Sequence, residues 1–279
     1  MSQSQEVVGF LGLGAMGGPM AANLVRAGYR VVGFDPSVRR QEEGRAVGVE
    51  VAASIAEVAR ETSGTVVSIV RDADQTRAVV RGEQGLLSAG RQGLTFVCMS
   101  TLDPTTLQTL ADDLSGRGVT VVDAPVSGGV SGAQEGTLTV IIAGDASACE
   151  RVWPVLQGMG QNLFTVGERP GMAQAAKLAN QLMLAVNMLG IAEGLQVALR
   201  HGVDERLLME LLCVSTGGSW AVQNWETVRG FWQSAEPGGT LEIILKDLRS
   251  VLREADAQRL SLPVTAVVNQ RIRHTWTSD

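Results

Sequence analysis

The chain has 279 residues, 29 acidic and 23 basic, for a formal net charge of -6. At roughly 100–200 residues per domain this length suits two domains, and 45% apolar against 19% charged residues argues against disorder. The acidic excess argues against a nucleic-acid partner, which calls for a basic stripe, and the three cysteines (Cys98, Cys149, Cys213), odd in number and without C-x-x-C, predict neither a disulfide framework nor a metal site. The start, Met1-Ser2-Gln3-Ser4-Gln5-Glu6, lacks the basic and apolar regions of a signal peptide. The most apolar stretch, residues 182–192, contains Asn187 and falls short of the ~20 residues needed to span a bilayer. A soluble cytoplasmic protein with no membrane contact is expected.

Val7-Val8-Gly9-Phe10-Leu11 reads as a strand, followed by glycines, a helix over 17–27 ended by Gly28, and a second strand over 29–34. Further strands are predicted over 65–70, 95–99, 120–123, 138–143 and 163–166. Helix-length segments between them imply crossovers and a mostly parallel sheet covered on both faces, a doubly wound α/β fold. After Gly167-Glu168-Arg169-Pro170-Gly171 the pattern changes. Residues 172–200 carry no turn signal and are apolar on nearly every face, which predicts a long helix buried among others. Residues 205–215, 220–231, 241–258 and 263–274 also read as helices. The boundary is placed near residue 168, giving an α/β domain over 1–168 and an all-α domain over 169–279.

Gly12-Leu13-Gly14-Ala15-Met16-Gly17 is G-x-G-x-x-G. It follows a strand and opens a helix, and the next strand leads to Asp35, 18 residues after Gly17. In that context Gly12 permits the tight turn, Gly14 lets backbone approach a pyrophosphate, and Gly17 lets the helix pack on the sheet, with the helix N-terminus facing the phosphates. The pattern predicts a nicotinamide or related dinucleotide. A carboxylate at Asp35 accepts ribose hydroxyls and repels a 2′-phosphate, favouring NAD; Arg39 and Arg40, a turn further on, keep NADP open, although a solvated helix face explains them too.

Lysine is scarce. Only Lys177 and Lys246 occur among the 23 basic residues. Arginine serves solubility as well but cannot exchange a proton near neutrality, so a retained lysine points to a place where an ammonium is needed, with codon bias the alternative. Of the two histidines, His201 stands before Gly202 at a helix end, where a cation suits the local dipole.

Five segments in order resemble the 3-hydroxyisobutyrate dehydrogenase family of β-hydroxyacid dehydrogenases, which includes the tartronate semialdehyde reductases. They are residues 9–20, Met99-Ser100-Thr101, Asp123-Ala124-Pro125-Val126-Ser127-Gly128-Gly129, residues 171–180 around Lys177, and Lys246-Asp247-Leu248. The resemblance implies a Rossmann domain joined through a long helix to an all-α domain. It also implies Lys177 as the catalytic lysine, Ser127 with Gly128 and Gly129 as the loop holding the substrate carboxylate and hydroxyl, and Thr101 and Val70 beside the cofactor. Lys246 would reach the cofactor and substrate from the helical domain. A glycine-flanked serine after a strand suits a carboxylate, although Ser-Gly-Gly is also ordinary turn chemistry. On an apolar helix, desolvation and a positive nicotinamide ring disfavour the charged lysine, and lysines tuned this way reach about 7–8; a snorkelling helix lysine is the alternative.

Asn180 and Gln181 stand at i+3 and i+4 from Lys177, near its helical face, and either amide is placed to support it. The family commonly has asparagine at the i+4 place. Many members carry an aromatic residue seven places before the second lysine, where this chain has Gly239, which implies a wider pocket. Members also usually continue with a further helical segment, whereas this sequence stops at Asp279, so part of the outer helical layer, or of the subunit contact, is expected to be missing. Residues 219–225, with Trp220, fall where the family builds its substrate wall; two core tryptophans are the alternative.

The implied reaction is hydride transfer between a small 3-hydroxy acid, resembling 3-hydroxyisobutyrate, glycerate or serine, and a nicotinamide. Lys177 exchanges the alcohol proton and domain closure excludes water. The alternatives are an imine or semialdehyde reductase on the same scaffold, or a non-catalytic nicotinamide-binding sensor. Imine reductases usually carry Asp or Tyr at the lysine place, and non-catalytic relatives lose the lysine. A homodimer or homotetramer is also implied.

Overall fold

Short β-branched runs alternate with helices through the first half of the chain, and the strands they form over 7–11, 65–68, 94–98 and 119–123 are buried on both faces, whereas the strand over 160–167 is largely exposed. The computed structural model describes residues 6–233 and 239–277; the first five residues, read above for a leader, lie outside them. Two compact units are present, Met1–Lys177 and Leu178–Asp279.

In the first unit the order is β1 (Val7–Leu11), α1 (Gly17–Arg26), β2 (Arg30–Phe34), α2 (Val38–Ala46), β3 (Glu50–Val51), α3 (Ile55–Glu61), β4 (Thr65–Ser68), α4 (Ala73–Arg81), β5 (Leu94–Cys98), α5 (Pro104–Ser115) and β6 (Val119–Asp123). It continues with β7 (Val126–Ser127), α6 (Gly129–Glu135), β8 (Leu138–Ala143), α7 (Ala146–Gln157), β9 (Gly160–Gly167) and the start of α8 (Met172–Arg200). The sheet runs β3-β2-β1-β4-β5-β6-β8-β7, with β9 beside β8. From β3 to β6 every pairing is parallel, the 3-2-1-4-5-6 order of a Rossmann fold. Period-2 alternation splits the strands between two cores. Val8, Phe10, Val67 and Val97 enter one, and Leu11, Val66, Phe96 and Cys98 the other, so helices cover both faces.

The strands predicted from sequence are present, with ends shifted by a few residues. β3 and β7 were not predicted, because two residues carry no readable periodicity. β8 departs from the parallel pattern, since it pairs antiparallel with β6 and β7. The Val126↔Val140 and Ser127↔Thr139 pairs hold the segment after β6 against β8, whose other side is taken by β9.

The second unit is helical among its described residues: the rest of α8, α9 (Glu205–Cys213), α10 (Trp220–Gln223), α11 (Trp225–Gln233), α12 (Thr240–Gln258) and α13 (Pro263–Thr277). Its core gathers Met188, Val222, Trp225, Val228, Ile244 and Leu248. The helix predicted over 220–231 is divided at Asn224, whose backbone leaves the helical region at φ −117, ψ 36 while its side-chain amide donates to the Trp220 carbonyl.

α8 corrects two expectations. It is not buried throughout: Met183, Val197 and Leu199 are 58%, 66% and 49% exposed. By length and composition it is also apolar enough to cross a bilayer, with mean hydropathy 1.7 over a window of which 22% is buried within the chain. A helix apolar on all sides has no single face to hide, so one chain covers only part of it.

Candidate active site

The glycine turn between β1 and α1 is shaped by three different constraints. Gly12 has φ +93, and a Cβ there would run into the Ile69 carbonyl. At Gly17 a Cβ would overlap the Gly12 carbonyl oxygen and meet Ile69 Cγ2 at 3.0 Å, so glycine is what allows α1 to start here. Gly14 differs, because a Cβ would meet nothing within 4 Å. The space before Gly14 is open while its two partner glycines are packed shut, and no side chain caps α1 and no acidic residue stands in its first turn. These features fit a pyrophosphate approaching backbone N–H groups at a helix N-terminus.

Asp35, directly after β2, is buried. Its Oδ2 accepts from the Leu13 N–H (2.8 Å) and its Oδ1 from the Ser37 N–H (2.9 Å). The carboxylate therefore ties the glycine turn to the start of α2, a structural task invisible in the sequence, and each oxygen keeps a lone pair for a further donor. Arg39 and Arg40 both pair with Glu43, at 3.4 and 2.6 Å. Val70 lies beside Gly12, where a Cβ would come within 3.3 Å of its Cγ1, and its N–H donates to Ser100 Oγ (2.8 Å). Thr101 follows Ser100 in the loop after β5, and Ser127 ends β7, with Gly128 and Gly129 exposed at the start of α6.

Lys177 is 6% exposed, on the second turn of α8. The first turn is anchored by a network that sequence reasoning missed. Asp123, fully buried at the end of β6, accepts from the Gly171 N–H (2.8 Å), the Gln174 N–H (3.1 Å) and Gln174 Nε2 (2.7 Å). Burial pushes its carboxyl up to about 6, against the pull of the donors from Gln174 and Gly171. Gln174 Nε2 also donates to the Ser100 carbonyl (3.1 Å), and its Oε1 accepts from the Leu102 N–H (2.8 Å). The only hint in the sequence is an acid and an amide standing within two of the quoted segments.

In the second unit the two amides after Lys177 separate. Gln181 is buried and donates from Nε2 to Asp247 Oδ2 (2.7 Å), whereas Asn180 is exposed and donates to Gln181 Oε1 at 3.4 Å. Asp247 Oδ1 lies 2.9 Å from Lys246 Nζ, so Asp247 joins the second lysine to Gln181. Its position next to Lys246 was the available signal. Trp220 and Trp225 also part company. Trp220 is 54% exposed at the start of α10, while Trp225 is 9% exposed in the core, its Nε1 donating to Glu205. Burial pushes the Cys98 and Cys149 thiols up, away from the thiolate form that a nucleophile needs. No group of three or more His, Cys, Asp or Glu able to hold a metal occurs among the described residues.

Residues 7–167 match the NAD-binding domain of 6-phosphogluconate dehydrogenase, and residues 171–278 match a second family profile, the NAD-binding domain of NADP-dependent 3-hydroxyisobutyrate dehydrogenase. The chain is thus a nicotinamide-dependent oxidoreductase of CH–OH groups. It is 36% identical over 269 residues to 3-hydroxyisobutyrate dehydrogenase of Pseudomonas aeruginosa, covering 93% of this chain and 89% of that protein. It is 34% identical to the NAD-dependent L-serine dehydrogenase of the same organism over 263 residues, 92% of this chain and 88% of the relative. Among solved structures, Mycobacterium tuberculosis 3-hydroxyisobutyrate dehydrogenase with L-serine superposes with a TM-score of 0.87 at 31% identity, covering 96% and 93% of the two chains. The chain belongs to the 3-hydroxyisobutyrate dehydrogenase family.

Proposed function

We propose that the chain interconverts a small β-hydroxyacid and the corresponding carbonyl acid with NAD, and that Lys177 is its acid–base group. The observation that carries this reading is the burial of Lys177, one of only two lysines, on the turn of α8 that follows the Gln174 anchor. The bound nicotinamide supplies the hydride acceptor. Residues 12–17 would hold the cofactor, with Asp35, Val70, Thr101 and Lys246. In the oxidative direction Lys177 Nζ takes the hydroxyl proton, and in the reductive direction it returns it. Ser127 and the Gly128–Gly129 backbone orient the acid through its carboxylate. Gln181, buried against Asp247, is favoured over the exposed Asn180 as the amide supporting this region, and Trp220, exposed at the start of α10, is assigned to the substrate wall.

NAD is favoured over NADP because Asp35 repels a 2′-phosphate and because Arg39 and Arg40 are both engaged by Glu43. The substrate class is supported by relatives named for 3-hydroxyisobutyrate and L-serine, both of which carry a hydroxyl on the carbon β to a carboxylate. The uncovered apolar side of α8 supports a homodimer or homotetramer. α8 lies within the segment matched by the family, so its apolarity is read as subunit contact rather than a membrane span, and the proposed location is the cytoplasm.

The test is a spectrophotometric panel of 3-hydroxyisobutyrate, L-serine and glycerate with NAD and with NADP, on wild type and Lys177→Ala. Turnover of at least one acid, faster with NAD, is expected, and Lys177→Ala should lower kcat by roughly 10²–10⁴ while NAD affinity stays within about threefold. Retained turnover in Lys177→Ala, or none with any acid and either cofactor, overturns the proposal.

A further inference from the structure

An enzyme that uses a lysine for proton transfer must hold its amine at a fixed distance from the reacting hydroxyl, and a long flexible side chain does not do so by itself. What it needs is a rigid root. α8 has one. Its first turn is stitched to the carboxyl ends of β5 and β6 through a single buried amide, Gln174. Both polar atoms of that side chain are engaged: Nε2 by Asp123 Oδ1 and the Ser100 carbonyl, Oε1 by the Leu102 N–H. Asp123 completes the stitch by accepting the backbone N–H groups of Gly171 and Gln174. Gln174 and Asp123 are both fully buried, and their partners are 48 to 74 positions apart in the chain. Lys177 stands three residues after Gln174, so the two share one side of the helix. Ser100 and Leu102, the residues gripped by the amide, flank Thr101.

A buried carboxylate is a costly anchor. Apolar packing would join a helix to a sheet without the desolvation penalty that Asp123 carries. A fully satisfied polar network does something apolar packing does not, which is to admit one register and one orientation. We propose that Gln174 and Asp123 form the positioning pair of the reaction, fixing the root of Lys177 and the loop carrying Thr101 in one mutual arrangement. The inference rests on the acid–base assignment of Lys177 made above, but it is read out separately.

The chain contains two lysines, so protein labelled with ¹³C at the lysine ε carbons gives two side-chain signals, which Lys177→Ala assigns. In Gln174→Met, close in shape but unable to make the hydrogen bonds, the Lys177 signal should shift or broaden and its titration midpoint should move, while the Lys246 signal stays in place. Loss of global stability alone would not single out one lysine. In turnover, kcat should fall at least thirtyfold with the Kd for NAD and the KM for 3-hydroxyisobutyrate or L-serine each within threefold. An unmoved Lys177 signal overturns the inference, as does unchanged kcat in the NAD-saturated variant. Should Gln174→Met not fold, Gln174→Asn, an amide one carbon too short to reach all its partners, is read by the same criteria with a loss of at least tenfold expected. If Lys177→Ala keeps full activity the acid–base reading fails, whereas a silent Gln174 variant beside an inactive Lys177→Ala sinks only the positioning pair.

Discussion

The glycine turn provides a paired perturbation whose two members should behave oppositely. At Gly17 the added methyl of Gly17→Ala overlaps the Gly12 carbonyl oxygen and lies 3.0 Å from both the Gly12 carbonyl carbon and Ile69 Cγ2. The first obstacle is backbone, so α1 itself must shift. Overpacking of this kind costs roughly 1–3 kcal/mol, and a rigid neighbour puts Gly17→Ala near the upper figure. At about 2–4 °C per kcal/mol for a unit of this size, Tm should fall by roughly 6–12 °C. At Gly14 the same methyl meets nothing within 4 Å and the backbone is not in the left-handed region, so Gly14→Ala should leave Tm unchanged or raise it by the roughly 0.4–1 kcal/mol that Gly→Ala gains through the unfolded chain. That open space is where a pyrophosphate would approach, so Gly14→Ala should weaken NAD binding by about 2 kcal/mol, roughly thirtyfold in Kd. Thermal melts and calorimetric titration with NAD on the two variants suffice. Wild-type NAD affinity in Gly14→Ala, or a Tm loss matching that of Gly17→Ala, would refute the assignment of Gly14 to the cofactor.

Three further outcomes are expected. Asp123 has its carboxyl pushed from an ordinary 3.8 to about 6, so the folded protein holds that proton more tightly than the unfolded chain. Its contribution to stability is therefore greatest below pH 3.8 and declines as the pH rises to 6, by about 3 kcal/mol at roughly 1.4 kcal/mol per pH unit, then stays level. Urea unfolding of wild type and Asp123→Asn from pH 3.5 to 7 should show the variant gaining on wild type by that amount, whereas a flat difference removes the burial argument. In Asp35→Ala the NAD over NADP preference should narrow at least tenfold in kcat/KM, with a stability loss of roughly 1–3 kcal/mol from the orphaned Leu13 and Ser37 N–H groups; an unchanged preference would reduce Asp35 to a structural tie. Met183→Glu combined with Val197→Glu should lower the solution mass measured by light scattering to that of one chain, and a wild type already monomeric contradicts the subunit contact.

Strand–glycine–helix succession is a local property, and it was legible without coordinates. The short β-rich runs Val7 to Leu11 and Tyr29 to Phe34, the glycine turn that opens at Gly12, and the stretch from Met172 to Arg200, free of turn signals and apolar on nearly every face, are each read from contiguous sequence, since turn and strand propensities act between near neighbours. Thus the Rossmann half, the helical half and the lysine of interest were all named from the sequence. What the tertiary structure decided lies between residues far apart in the chain. It chose Gln181 rather than Asn180 to meet Asp247, sent Trp225 inward and left Trp220 exposed, gave Asp35 a second task at Leu13, and made Gln174 the knot joining Asp123, Ser100 and Leu102. It also left part of α8 uncovered where composition predicted burial. A hydrogen bond across 22 to 74 positions depends on how the chain closes, and no short window of sequence records that closure.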